Sequence, residues 1–521
     1  MKHLPIGIST FSTIIQEGMV YVDKTGAVWD MAKVPGRYIL SRPRRFGKSL
    51  FVDTLKELFE GNRDLFKGLF IHERWNWGRH FPVIKVDFAS GGIRSTALLE
   101  IYIRDMLAEN CKRLAVPLID AGNPVGLILR NLIQAVTEKY NEKVVVLVDE
   151  YDKPILDNIE NIPLAETIKE GLKDFYSVLK EQDANLQFVF LTGVSKFSKV
   201  NIFSGINNLD DITLDSNFAT ICGYTQGDLE SEFGGHLEGV DRDELKRWYN
   251  GYNFLGEKVY NPFDILLFLQ KGKIYRNYWF ETGTPTFLIK LLQKERFFLP
   301  DFDELEVGEE LLSSFEPKNI QPVTLLFQSG YLTIKEMVGK RDRISYKLQF
   351  PNQEVKTSFN GALLGGYAAL QAEKIRYEDE AWDALEQANL LALEKALRRL
   401  FAAIPWRNFT NNDLADFEGY YASVLYAFFS AINCDITPED ITNHGQTDLT
   451  VRLGNNYYVM EIKVAPSATS IEGSRNEALA QIRERAYSEK YLGKADTRVF
   501  ELGLVFGREE RNLIRFDYLN V

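Results

Sequence analysis

Residues 41–51 read SRPRRFGKSLF, and the reading of Gly47-Lys48-Ser49 within them decides the fold. In the phosphate-binding loop G-x-x-x-x-G-K-[ST], a glycine-rich turn presents backbone N–H groups to a triphosphate. Its lysine reaches the outer phosphates and its hydroxyl ligates Mg²⁺. Counting back from Gly47 puts Arg42 where the first glycine should stand, followed by Pro43. Proline has no N–H to offer and holds its predecessor extended, so the cradle loses a donor and a tight turn. Arg44 and Arg45 could supply positive charge in its place, or could be no more than a solvated basic turn. The surroundings favour a phosphate site: strand-like RYILS (37–41) runs into the loop and helical LFVDTLKELFEG (50–61) leaves it, so a helix N-terminus and its dipole would meet the phosphate. The expected nucleotide contacts are Arg44, Arg45, Phe46, Gly47, Lys48, Ser49 and Leu50, with Ser49 also on the metal.

A chain of 521 residues has room for two to four domains, and 45% apolar with 26% charged residues describes a soluble globular protein. No apolar run is long enough to span a bilayer, and MKHLPIGISTFSTII lacks the layout of a secretory signal, so a cytoplasmic protein without a membrane partner is expected. Cys111, Cys222 and Cys434 lie far apart and histidines are few, which excludes a disulfide framework or a zinc-like cluster. A net charge of −12 argues against a general polyanion binder held by bulk electrostatics; any nucleic-acid partner must be met by local basic patches.

Outward from the loop, short apolar runs alternate with amphipathic stretches to about residue 215, the pattern of an α/β layer with a largely parallel sheet. FPVIKVDFA (81–89), KVVVLVDEYD (143–152) and LQFVFLTGVSK (186–196) read as further strands, with a short one in DDITLD (210–215); segments 126–141 and 164–182 read as helices. The second strand-borne element is Val144 to Val148 followed by Asp149 and Glu150, the form that delivers a magnesium carboxylate and a water-polarising glutamate. Thr192, or Ser195, on the next strand suits a sensing polar residue. Taken singly, Gly-Lys-Ser could be a plain helix start and Asp-Glu a strand end with solvated acids; both in order and in context favour the site.

These residues resemble a family. RPRRFGKSL (42–50), with YVDKT (21–25), LVDEYDKP (147–154) and LTGVSKFS (191–198), is similar to the bacterial and archaeal AAA-ATPase-like proteins often joined to a C-terminal PD-(D/E)XK nuclease-superfamily domain. WYNGYNF (248–254) and VYNPFDILLFL (259–269) resemble that family's middle region, so the likeness covers nearly the whole chain. It implies that the replaced first glycine is a family variant, that ATP and Mg²⁺ are the cofactors, and that the protein could act as a homo-oligomer. The expected fold is α/β in three parts: an AAA-like P-loop NTPase domain over 1–235, a mainly helical lid or connector over 236–375, and a restriction-endonuclease-like α/β domain over 376–521.

In that last part, 378–405 and 413–432 read as helices, after which the periodicity switches to two. TDLTVRLGNNYYVMEIKVA (447–465) is a hairpin turning at Gly454-Asn455-Asn456, followed by a helix over 474–491 and a strand over 498–507. Glu461 and Lys463, two apart on a strand, project to one face, with Asp448 on the partner strand. Charged groups on so apolar a strand need a partner, and Mg²⁺ held by Asp448 and Glu461 supplies one, with Lys463 steadying water or developing charge in phosphodiester hydrolysis. This resembles the D…(D/E)-x-K core, and the resemblance adds Glu418 as a further acid and Gln481 with Tyr487 as the trailing helix. Alone, E-x-K would be a surface salt bridge. Arg475, Arg483, Arg485, Lys490 and Lys494 could contact a phosphate backbone or form a solvated face. The function expected is an ATPase gating a Mg²⁺-dependent nuclease on DNA or RNA; the rivals are a nucleotide-switched interaction protein that binds without cutting, and a plain ATPase with a structural appendage.

Overall fold

The computed structural model describes residues 1–119, 122–196, 202–203, 208–280, 286–295, 297–303, 305–313, 316–340, 343–368, 374–404, 418–493 and 496–521. Its chain divides into two compact units: Met1–Trp279 with Glu306–Lys347, and Phe280–Leu305 with Leu348–Val521. The stretch 236–375 is thus shared between them. Among the described residues no helix is long and apolar enough to cross a membrane.

The first unit is built on five strands: β1 (Gly36–Ser41), β2 (Val83–Asp87), β3 (Val144–Asp149), β4 (Leu186–Gly193) and β5 (Asp210–Asp211), in the order β2-β3-β4-β1-β5 and parallel throughout. Helices α1 (Lys48–Phe59), α2 (Thr96–Arg113), α3 (Val125–Tyr140) and α4 (Ile162–Glu181) make the crossovers. Every residue of β3 and β4 is buried, as a sheet covered on both faces requires, which is why those strands read as unbroken apolar runs. The order sets β4 between the strand that enters the phosphate loop and the strand that ends in Asp149, so the C-terminal ends of all three meet at one edge. Helix α2 was not expected from the sequence. Its buried apolar residues, Leu99, Ile103, Leu107 and Cys111, form a stripe one residue wide, while Ile101 is left exposed.

Residues 224–278 carry helices Gln226–Phe233, Arg242–Tyr249 and Pro262–Gln270 beside a two-stranded pair, β6 (Asn250–Tyr252) and β7 (Val259–Tyr260), sharing a core with Val20 and Val22. Helices dominate the middle region, but β8 (Glu306–Gly308), β9 (Thr333–Lys340) and β10 (Arg343–Gln349) form a three-stranded sheet there. Within the acidic run 301–310, Glu306–Gly308 form β8 with Val307 buried.

The second unit's sheet runs β11 (Asp435–Thr442), β12 (Gly445–Leu453), β13 (Asn456–Ala465), β14 (Arg498–Gly507) and β15 (Asn512–Asn520) in that order, with β13 and β14 parallel and the other neighbours antiparallel. The hairpin turns as expected, with Gly454 at φ 58. The single helix expected over 378–405 is instead two, α5 (Lys374–Glu386) and α6 (Leu390–Ala402): Ala388 takes φ 56 and the Asn389 side chain caps the second by accepting from Ala392 N–H at 3.1 Å. Helix α7 (Glu418–Ala431) follows; residues 413–417 of its expected span lie outside the described residues. The helix expected over 474–491 is shorter, α8 (Glu477–Glu484), capped by Asn476 and ended by Ala486 at φ 47.

Candidate functional site

The phosphate loop leaves β1 at Ser41 and enters α1 through Gly47, and Arg45 (φ 68) and Gly47 (φ 90) both adopt left-handed backbone. Such alternation folds successive N–H groups into an anion-binding concavity. Lys48 is buried; its ammonium donates to the carbonyls of Arg42 and Pro43 at 3.1 Å each and lies 3.9 Å from Glu150 Oε1. It therefore sits inside the loop. Phe46 is turned into the core against Tyr252 and Phe254, which leaves its backbone as its route to a nucleotide.

Arg42, the residue in the glycine's place, does not face the phosphates. It is 1% exposed, and its guanidinium donates to the carbonyls of Ser41 (2.9 Å), Thr213 (2.7 Å) and Phe218 (3.1 Å) beneath the Phe254 ring. Burial pushes its pKa down to about 10. Arg44 and Arg45 remain exposed at the loop's tip, Arg45 over the Phe263 ring. The loop is held from outside by residues the sequence reading passed over as a connector: Trp279 Nε1 donates to Arg44 O at 3.1 Å and Asn261 Nδ2 to the same oxygen at 3.5 Å.

Asp149, at the end of β3, is wholly buried; Oδ1 accepts from Glu150 N–H at 3.0 Å and Oδ2 has no hydrogen-bond partner. Burial raises its pKa to about 6, opposed by the Ser49 hydroxyl and the Lys48 ammonium and assisted by Asp87. Thr192 Oγ1, one strand over, is also buried without a partner. An orphaned carboxylate oxygen close to Ser49, with an orphaned hydroxyl on the adjacent strand, fits a divalent cation whose other ligands are phosphate oxygens and water. Glu150 stands beyond them in left-handed backbone (φ 54), partly exposed.

Ser195 has a different place from the sensing role considered for it. Its N–H and Oγ both donate to Asp152 Oδ2 at 2.5 Å, and its carbonyl accepts from Tyr151 (2.7 Å) and Ser41 (3.0 Å). Asp152 was missed by sequence reasoning, although the third acid of DEYD marked it. The Asp23 to Thr25 stretch forms a turn: Asp23 accepts from Thr25 and from Phe70 N–H.

In the second unit, the β12–β13 ladder ends at Leu449–Met460, and the next residues use side chains where backbone pairing stops. Asp448 Oδ2 accepts from Ile462 N–H at 2.7 Å, and Thr447, also unforeseen, donates to Met460 O at 2.8 Å. Glu461, 2% exposed, accepts from Lys463 Nζ at 3.2 Å and from Thr447 Oγ1 at 3.3 Å; Lys463 also lies 3.8 Å from Glu418 at the start of α7. Burial and then the Asp448 charge push the Glu461 carboxyl up to about 7, and burial raises Asp448 as well. For Lys463, burial works downward but the surrounding carboxylates outweigh it, and its pKa is raised.

Among the described residues no group of three or more His, Cys, Asp and Glu gathers closely enough to hold a metal. The Asp448–Glu461 pair supplies two carboxylates, so a Mg²⁺ held there would take its remaining ligands from water, carbonyl and phosphate oxygens. Gln481 lies on α8, which approaches the sheet where Glu461 pairs with Gly503: a Cβ there would sit 2.5 Å from Leu479 N. Gln481 takes no part in the bonds joining Asp448, Glu461, Lys463 and Glu418 named above. Tyr487 belongs to an apolar cluster with Tyr457 and Ile482. Of the basic residues expected near phosphate, Lys490 is tied to buried Asp440, Arg475 pairs with Glu484 at 3.1 Å, and Lys494 lies outside the described residues.

The Glu461 shift makes a prediction. Its carboxyl keeps a proton in the fold up to about 7 but sheds it near 4.5 when unfolded, so its contribution to stability falls as pH rises between those values. Without Mg²⁺, Glu461→Gln should therefore gain in thermal midpoint relative to wild type on going from about pH 5 to about pH 8. A gap that stays constant across scanning-fluorimetry melts at the two pH values would contradict the assigned burial.

A parallel P-loop sheet with a buried carboxylate, joined to a mixed sheet bearing Asp448 and Glu461-Ile462-Lys463, defines a nucleotide-binding protein with a nuclease-type module. Residues 5–203 match the family model described as "Predicted AAA-ATPase", and residues 416–516 match that of the "PD-(D/E)XK nuclease superfamily". A protein of Azotobacter chroococcum mcd 1, described as an uncharacterized protein in the vnfD 5′ region, is 44% identical over 518 residues, spanning 99% of this chain and 98% of that protein. The chain belongs to the AAA-ATPase-like family that carries a C-terminal PD-(D/E)XK nuclease-superfamily domain.

Proposed function

We propose that the protein hydrolyses ATP in its first unit and that nucleotide state gates a Mg²⁺-dependent phosphodiesterase in its second, acting on DNA or RNA. The observation that carries the reading is the buried Glu461, held between Asp448 and Lys463 at the end of a hairpin ladder. An acid so placed is costly to ionise without a cation, and a structural salt bridge would not need a second carboxylate beside it.

In the first unit, Lys48 exchanges the loop carbonyls for the triphosphate, Glu150 orients and polarises water, and Thr192 holds its position opposite. In the second, Asp448 and Glu461 bind the cation, and Lys463 stabilises charge developing on the phosphodiester. When bound, Mg²⁺ supplies Lewis-acid polarisation of the phosphoryl group.

The test is one assay combining labelled nucleic acid, ATP and Mg²⁺. Lys48→Ala should weaken ATP binding by at least about 30-fold, the loss of a charge-assisted contact of about 2 kcal/mol or more. Glu150→Gln should bind ATP and release no phosphate. Wild-type protein that never cuts under any nucleotide condition would leave the nucleotide-switched interaction protein as the reading.

A further inference from the structure

The chain leaves the first unit after Trp279, returns at Glu306 and leaves again after Lys347. Within the returning segment, helix Pro322–Ser329 and the residues just after it touch both sides of the nucleotide site. Gln328 is 5% exposed; its Oε1 accepts from Lys196 N–H at 3.0 Å, and its Nε2 donates to the carbonyls of Lys196 at 3.5 Å and Leu312 at 3.3 Å. A side-chain amide thus pairs with a backbone peptide as a strand would. Lys196 follows Ser195, the residue fixed by Asp152, Tyr151 and Ser41, so Gln328 grips the knot that ties together the ends of β1, β3 and β4.

Two residues on, Gly330 (φ 92) lies against the phosphate loop: a Cβ there would fall 2.7 Å from Pro43 Cβ, so backbone sign and space both require glycine. The Tyr331 ring packs on Trp279 at 5.2 Å, and Trp279 is the donor to Arg44 O. Thr333 Oγ1 accepts from Asn253 N–H at 2.8 Å and donates to Asn253 O at 3.2 Å, beside the Phe254 that covers Arg42. A shift of the loop or of the β4 end on nucleotide binding must move this segment or be resisted by it. Both ends of the segment continue into the second unit.

We propose that residues 322–333 form a strap that senses the occupant of the nucleotide site and passes its state to the second unit, with Gln328 as the positioning residue for the end of β4. The proposal rests on the gating reading for its second half; its first half stands on the nucleotide site alone.

The full-length chain is assayed for ATP turnover and, in parallel, for cleavage with and without ATP. Gln328→Ala should lower kcat for ATP by about ten-fold or more while changing KM less than about three-fold, because the loop's own phosphate contacts stay in place. Cleavage by this variant should no longer respond to ATP. Gln328→Glu keeps the acceptor for Lys196 N–H and should recover part of the loss in kcat. Unchanged kcat in Gln328→Ala, or equal loss in both variants together with equal falls in thermal midpoint, overturns the assignment and leaves Gln328 a packing residue. If wild type turns over ATP yet never cuts, the gating reading fails, and the split between kcat and KM still decides whether Gln328 positions β4.

Discussion

Lys463→Ala is expected to lower Mg²⁺-dependent cleavage of nucleic acid by at least about 100-fold, the loss typical of removing one preorganised donor from a site of developing negative charge. Two effects add. The ammonium 3.2 Å from Glu461 is lost as a stabiliser of phosphoryl charge, and Glu461 loses the cation that opposes its burial. The second effect raises the Glu461 pKa further from its already elevated value, so the variant should also need more Mg²⁺ and a higher pH to reach its remaining rate. Lys463→Arg keeps the charge but exchanges a compact ammonium for a planar fork, and should recover Mg²⁺ affinity more than rate. Gel-based cleavage across a Mg²⁺ titration reads both effects, with ATP turnover in the same samples as the check that the chain is folded. Cleavage by Lys463→Ala at the wild-type rate would remove the second unit's site from the mechanism.

What could be read in advance follows from how each residue type meets its surroundings. β3 and β4 were legible because a parallel sheet covered on both faces demands continuous apolar runs, β1 because it leads straight into the phosphate-loop motif, and β12–β13 because one face alternates around a glycine turn. Helix α2 was not, since a stripe of Leu99, Ile103, Leu107 and Cys111 beside an exposed Ile101 carries little periodic contrast. β11 and β15 also went unforeseen: they are edge strands, and β11 reads DITPEDIT, with a proline and acids blunting its exposed side. At the sites, local motifs named Lys48, Asp149, Asp448, Glu461 and Lys463, because each motif brings its residues together over a few positions or across one hairpin. Thr447, Trp279 and Gln328 act through contacts made across the fold, with no local pattern to mark them. Arg42 was visible only as a departure from a motif, and nothing in SRPRRFGKS says that its side chain turns inward.

That inward turn makes Arg42→Gly the sharper test of the loop. The substitution restores the phosphate-loop pattern, so a reading by motif alone expects tighter nucleotide binding. The structure implies the reverse. Removing the guanidinium leaves the carbonyls of Ser41, Thr213 and Phe218 without their donor in a buried site and opens a void under Phe254. Together these should cost at least about 3 kcal/mol. In a unit of about 320 residues that corresponds to a fall of roughly 4–5 °C in its thermal midpoint. Nucleotide affinity should drop with it, because the start of the phosphate loop loses the side chain that ties it to Thr213 and Phe218. Arg42→Lys keeps a charge but cannot spread three donors over three carbonyls, and should fall between glycine and wild type. Melts with and without Mg²⁺ and ATP separate the two readings: a variant as stable as wild type and tighter in binding would mean that Arg42 only stands in for a glycine. A variant that melts early and binds weakly would mean that arginine here replaces the glycine's turn with a strut, its side chain pinning from beneath a loop whose backbone proline keeps it from closing on its own.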